Sequence, residues 1–274
     1  MMTSLEDEQQ YYRRLEPLFA EVHKWAEVSD QVPEVQPGSR TADDDELTDP
    51  YQLSHAVALS LGSARDHLHA LRSLVIDANA LHTSAPWTLC RAALENGAQA
   101  RWLLEPDDRT ERVTRRLRMA VRDARERCAA TMLLAPDAAA AAECTEHLQD
   151  RLTRFGGLGE AAGIPRRRVT GDKAPGWGAL VRQAAAPTGL EPDALNALWR
   201  IASGYAHGQV WATLATASME QQLRGRAEES VSVYRVTADV SMVFTIVSSA
   251  FMVIKDARFR HDMARLRFRP VRCE

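Results

Sequence analysis

Arg200, Ser203 and His207 fall at helical spacing in the stretch 200–211, RIASGYAHGQVW. Seven steps of about 100° end roughly 20° short of two full turns, so Arg200 and His207 share one face. Ser203 lies between them and Trp211 one turn beyond. A guanidinium keeps its charge at any working pH and offers a donor fork, while an imidazole exchanges a proton near neutrality. On one stripe with a hydroxyl they form a candidate phosphate or carboxylate site, with His207 as acid or base. Gly204 and Gly208 leave room for a second backbone. The same residues also read as a polar seam, in which His207 bonds a neighbouring helix and the glycines permit close packing.

A second candidate is the i,i+4 pair Arg91 and Glu95. Its helix is otherwise dominated by apolar and small residues, among them Trp87, Leu94, Ala98 and Trp102. Charges partly buried there must be paired. The pair either orients His207 or pins two helices together. A third is the stripe His55, Asp66, His69, Ser73 and Asp77. Asp66 and His69 look like half of a carboxylate-bridged dimetal site, which needs a second such pair and two further carboxylates on facing helices. Neither His207 nor His82 has a carboxylate three residues before it, and Glu143, Glu146 and His147 sit on an Ala-rich helix that reads as exposed. No metal and no other cofactor is therefore expected. A fourth is basic material: eight arginines between Arg109 and Arg127, the run Arg166 to Arg168, and the tail after Lys255. Asp108, Glu111, Asp123 and Glu126 interrupt those arginines, which marks a salt-bridged surface. Aromatics make up 6% and do not interleave with the basic runs, so no stacking platform for single strands is indicated. There is no phosphate-cradling Gly loop and no nucleophile elbow.

The elements that must carry these residues are helices. The 274 residues are rich in Ala, Leu and Arg, with few alternating β-branched runs. Helical patterns run from about 51 to 79, 84 to 105, 108 to 134 and 192 to 221, and from about 137 until Gly156 and Gly157. Pro17 suits a first helical turn, so anything helical upstream of it should be separate or kinked. The pattern from about 238 to 263 is apolar nearly all round over its first half, as a central helix would be. Its apolar run of 15 residues is short of the roughly 20 that a membrane span needs. Residues 230–236 alternate and read as a short strand or an extended connection. Residues 1–50 carry a net charge of −9 in a chain of net −3, and the run Asp43 to Glu46 reads as part of a linker or mobile loop. The four cysteines are scattered, without zinc spacing. Three read as small buried apolar residues, and reduced thiols with no secretory signal point to the cytoplasm.

Two blocks carry a resemblance. Arg91-Ala-Ala-Leu-Glu95 followed by WLLEP at 102–106, and SGYAHG at 203–208, together resemble a large set of uncharacterised bacterial helical proteins, many from high-GC actinobacteria. The Arg-x6-His spacing of Arg200 and His207 resembles the signature of the HEPN (higher eukaryotes and prokaryotes nucleotide-binding) superfamily. The resemblance implies a helical bundle that dimerises through the motif helix, and metal-independent RNA cleavage in active members. Carried over, His207 takes or gives the proton at the attacking 2′-hydroxyl or the leaving oxygen. Arg200 holds the scissile phosphate. Beside that pair, Ser203, Arg91, Glu95 and Tyr205 are read from this sequence as supporting residues.

The expectation is an all-α bundle of roughly seven to nine helices with a HEPN-like core and at most one short strand or hairpin. An N-terminal helix and acidic linker would occupy 1–50 and the main bundle 51–274. The leading function is a HEPN-like protein of bacterial stress or conflict that binds RNA or a nucleotide, with ribonuclease activity as the candidate chemistry. It would be a homodimer with no membrane association. The first alternative is a non-enzymatic scaffold for a partner protein or small ligand. The second is a dimetal oxygenase of natural-product metabolism, disfavoured by its ligand count.

Overall fold

The computed structural model describes residues 5–27, 34–223 and 233–267. Eleven α-helices lie within them: α1 Leu5–Glu27, α2 Arg40–Thr48, α3 Leu53–Arg72, α4 Ala85–Leu104, α5 Arg109–Leu133, α6 Ala138–Ala161, α7 Arg166–Thr170, α8 Trp177–Ala185, α9 Pro192–Ala206, α10 Val210–Thr216 and α11 Val240–Arg265. The protein is mostly helical. The one small sheet among the described residues is an antiparallel pair of β1 Ser218–Leu223 and β2 Val233–Thr237, with an irregularity between Gln221 and Leu223. The alternation at 230–236 becomes β2 from Val233 onward; residues 230–232 lie outside the described residues.

Polar side chains start the helices where their backbone N–H groups lack partners. Ser39 Oγ accepts from Ala42 N ahead of α2, Asp108 from Thr110 and Glu111 N ahead of α5, and Asp137 from Ala140 N ahead of α6. Pro192 opens α9 behind the Glu191 carboxylate, which accepts from Ala194 N.

The helix count exceeds the expected one in part because two short helices, α2 and α10, stand where a linker and a continuous helix are expected. The run Asp43 to Glu46 is not a linker. It lies inside α2, whose buried stripe Thr41, Asp44 and Thr48 has helical spacing but polar chemistry. Pro17 sits inside a single α1. Gly156 and Gly157 do not end α6. A Cβ on Gly156 would meet Arg166 at 2.9 Å and one on Gly159 would meet Val169 at 2.7 Å, so small residues there let α7 pack on a helix that continues to Ala161. Pro50 follows Asp49 through a cis peptide and precedes α3 rather than opening it, and a π-turn, Ser73–Asp77, extends α3.

The chain forms two compact units, residues 1–32, 60–99 and 177–257 in one and 33–59, 100–176 and 258–274 in the other. In the first, α11 supplies Val243, Ile246, Val247, Ala250, Val253 and Ile254, all buried. Trp25 stacks on Phe251 at 5.1 Å, and Gly97 gives Ile254 room, since a Cβ there would lie 2.7 Å from Ile254 Cγ1. By length and composition alone α11 is apolar enough to cross a membrane, but 56% of its apolar window is buried inside the protein, as a core helix is. In the second unit, Val113, Leu117, Ala120 and Val121 of α5 pack with Phe155, Ile164 and Val169. Asp44 and Arg112 form a buried fork there, with Nε to Oδ2 at 2.6 Å and Nη2 to Oδ1 at 2.9 Å.

Candidate functional site

Helix α9 carries the candidate residues, and two contacts in the first unit fix its inner side. Trp199 Nε1 donates to Glu95 Oε1 of α4 at 2.7 Å, and Arg91 Nε donates to the same oxygen at 2.9 Å. The Arg91 and Glu95 side chains are 23% and 13% exposed, so the pair is largely withdrawn from water and is satisfied there. One turn and a half further along α9, buried Tyr205 stacks on Trp87 of α4 at 5.1 Å, the rings nearly parallel. Its hydroxyl shares a hydrogen bond with Thr216 Oγ1 at 2.9 Å, which ties the end of α9 to α10. Arg91, Glu95 and Tyr205 therefore position the helix. None of the three is hydrogen-bonded to His207.

The outer face is different. Arg200 and His207 are both exposed, with half-buried Ser203 between them. Among the described residues neither side chain has a hydrogen-bond or ion-pair partner. Seven residues of helix place them about 10 Å apart along the axis.

The helix ends at this site rather than continuing through it. His207 is the C-cap of α9, with its N–H on the carbonyls of Ser203 and Gly204. Gly208 takes φ +64°, a left-handed conformation that favours glycine, and Gln209 N closes on Gly204 O at 2.8 Å. The chain then turns into α10. Trp211 is consequently not one turn beyond His207 on a common stripe; it lies on α10, its indole N–H donating to Gln209 Oε1 at 2.7 Å. Gly204 makes the corner possible, because a Cβ there would lie 2.7 Å from Ala212 Cβ. Electrostatically this is the negative end of the helix. The closing N–H groups cover some of the carbonyls, and Arg200 lies two turns back with its fixed charge exposed.

The remaining candidates are dispersed. His69 of α3 stacks against His23 of α1 at 5.7 Å, with Nδ1 of His23 3.5 Å from Nε2 of His69. Among the described residues no group of three His, Cys, Asp or Glu side chains is placed to hold a metal ion. The basic material is largely engaged. Arg112 is buried on Asp44, Arg115 pairs with Glu105 and Glu111, Arg118 with Asp172, and Arg168 with Glu111.

Sequence reasoning missed Trp199 and Asn196. The first is the direct link between the Arg91–Glu95 pair and α9. The second sits one turn before Arg200, its side-chain carbonyl oxygen buried and without a partner among the described residues. A Trp adjacent to the candidate Arg was the available signal for the first; the second carried none. Comparison with known proteins finds no matching family model, no matching curated protein and no matching solved structure.

Proposed function

We propose that the Arg200–His207 face of α9 binds the phosphate of RNA or a nucleotide, and that on RNA the pair cleaves the phosphodiester without a metal, in a protein with a HEPN-like core. The observation that carries this reading is the exposure of both side chains on a helix held rigidly from behind by Trp199, Glu95, Tyr205 and Trp87. Preorganised groups aimed at developing charge stabilise a transition state without a cost of reorganisation. In the step, His207 removes the proton of a 2′-hydroxyl as its oxygen attacks phosphorus. The bond to the 5′-oxygen breaks, and that oxygen leaves with a proton. The products are a cyclic phosphate and a 5′-hydroxyl. Arg200 offsets the charge on the equatorial oxygens. A second copy of the chain, dimerised through α9, provides the second imidazole that a concerted acid and base need.

The test is incubation of the protein with RNA in EDTA. Cleavage that survives chelation and falls by about 100-fold or more in His207→Ala, with an unchanged melting temperature, supports the reading. Absence of cleavage by the unmodified protein, or undiminished cleavage by the variant, contradicts it.

A second reading, a non-enzymatic scaffold, is favoured by one specific observation. Val210, Trp211 and Leu214 of α10 are 70%, 48% and 58% exposed beside the site. Clustered exposed apolar residues mark contact surfaces. On that reading Trp211→Ala abolishes capture of a partner protein and His207→Ala changes nothing.

A further inference from the structure

Helices α5 and α6 form an antiparallel hairpin that is well packed at one end only. Ten residues of α5 are buried, and the last of them is Cys128. The buried residues of α6 are Phe155, Gly156 and Gly159, all in its C-terminal half. Beyond Cys128 the two helices run on with Leu133 and Leu134 at the tip, 87% and 84% exposed. The outer half of the hairpin therefore lacks a core of its own.

Two cysteines meet at this transition. Cys128 and Cys144 are free thiols 16 residues apart in sequence, and the hairpin sets them face to face. Cys144 Sγ donates to Cys128 Sγ at 2.7 Å, and each sulfur lies 3.4 Å from the other residue's carbonyl oxygen. The pair is reciprocal, with both side chains pointing across the helix–helix seam. A cleft of about 610 Å³ opens on it, lined also by Arg127, Thr131, Glu143, His147 and Arg151. Cys128 is buried, while Cys144 is half-exposed to the cleft. The other cysteine among the described residues, Cys90, is fully buried, and that burial pushes its thiol well above the ordinary range.

We propose that Cys128 and Cys144 are a redox modification site, at which hydrogen peroxide entering the cleft converts the dithiol to an intrachain disulfide that staples α5 to the outer half of α6. The thiolate of Cys144 attacks the peroxide O–O bond. A sulfenic acid forms, and hydroxide leaves and takes up a proton to give water. The sulfur of Cys128 then attacks the sulfenic sulfur, the S–S bond forms, and the second hydroxide leaves as water with the Cys128 proton. Two thiols are oxidised and one peroxide is reduced to two waters. The hydrogen bond with Cys128 pushes the Cys144 thiol up, and Arg127 acts in the opposite sense. Because the thiolate is the nucleophile, the site reacts faster as pH rises and is a modification site rather than a rapid peroxidase. A small dithiol reverses the reaction by exchange.

The experiment treats the reduced full-length protein with hydrogen peroxide, digests it under acidic non-reducing conditions and maps its cysteines by mass spectrometry. The expected product joins the Cys128 and Cys144 peptides, lighter by two hydrogens, and dithiothreitol restores both. Its formation is faster at about pH 9 than at neutrality. The oxidised protein shows slower amide exchange across residues 138–150 than the reduced one. In Cys144→Ser, at the half-exposed position, no link forms and the fold is kept. In Cys128→Ser, peroxide leaves a sulfenic acid on Cys144 that dimedone traps. The proposal is overturned if the link forms no faster in folded than in urea-unfolded protein. It is equally overturned if the folded protein links either cysteine to Cys90 or Cys273 as readily, or if Cys144 passes to the sulfinic acid without linking.

Discussion

At the residue scale, charge is spent on architecture in most places and left free in few. The Asp44–Arg112 fork is buried on both sides, at 2% and 4% side-chain exposure. Removing one partner strands the other charge away from water, so Asp44→Ala should lower unfolding stability by about 3–5 kcal/mol in urea titrations. Trp199→Phe removes the indole donor to Glu95 but leaves Arg91 in place. It should cost about 2 kcal/mol in the same measurement while His207 stays exposed. The sequence made Arg91 and Glu95 legible as a pair needing satisfaction, because charges on an apolar helix have few other options. It hid the role of Asp44. A run of four acids normally faces solvent, and nothing local says which one of them meets an arginine 68 positions later. The same limit hid the cysteine pair. Spacing along a chain does not reveal the register in which two helices of a hairpin meet.

At the element scale, the corner between α9 and α10 decides what the candidate site presents. The 200–211 stretch reads as one helix by hydrophobic periodicity, and that reading holds only to Ala206. Gly208 was the available warning, since a glycine just beyond a helical pattern is a common C-terminal signal. Its positive φ and the contact of Gly204 with Ala212 produce the turn. Two substitutions separate these causes. Gly204→Ala forces a Cβ into α10 and should cost about 1–3 kcal/mol, read as a lowered thermal midpoint. Gly208→Ala meets open space but an unfavourable φ, and should cost about 1 kcal/mol. The helices α3, α4, α5 and α11 were recoverable to within a few residues because their apolar stripes and flanking prolines or caps are local. Helix α2 was not, because its buried stripe is polar and leaves no hydropathy signal.

At the scale of the whole molecule, stability should depend on one buried imidazole. His261 of α11 is 5% exposed. Burial pushes its pKa down, and Arg265 and Arg258 add to this against Asp262 and Asp45. The folded protein therefore holds the proton less tightly than the unfolded chain, whose imidazole takes it up near pH 6.5. Below that value the unfolded chain binds more protons, so stability is full above about pH 6.5 and is lost as pH falls further. Urea midpoints from about pH 7.5 down to about pH 5.5 should show this decline, and His261→Gln should flatten it. Charge distribution gives a second expectation. Most arginines of α5 are paired, so RNA binding should show a shallow salt dependence, with a log–log slope near −1 to −2 for one or two phosphate contacts.

The central claim is that a guanidinium and an imidazole on the outer face of α9 converge on one anion. Its most direct test is an NMR titration of the His207 ring with a short single-stranded RNA, in the unmodified protein and in Arg200→Ala. A saturable shift of the His207 ring resonances is expected, and it disappears in the variant. Ring resonances that do not move, or that move equally without Arg200, would contradict it.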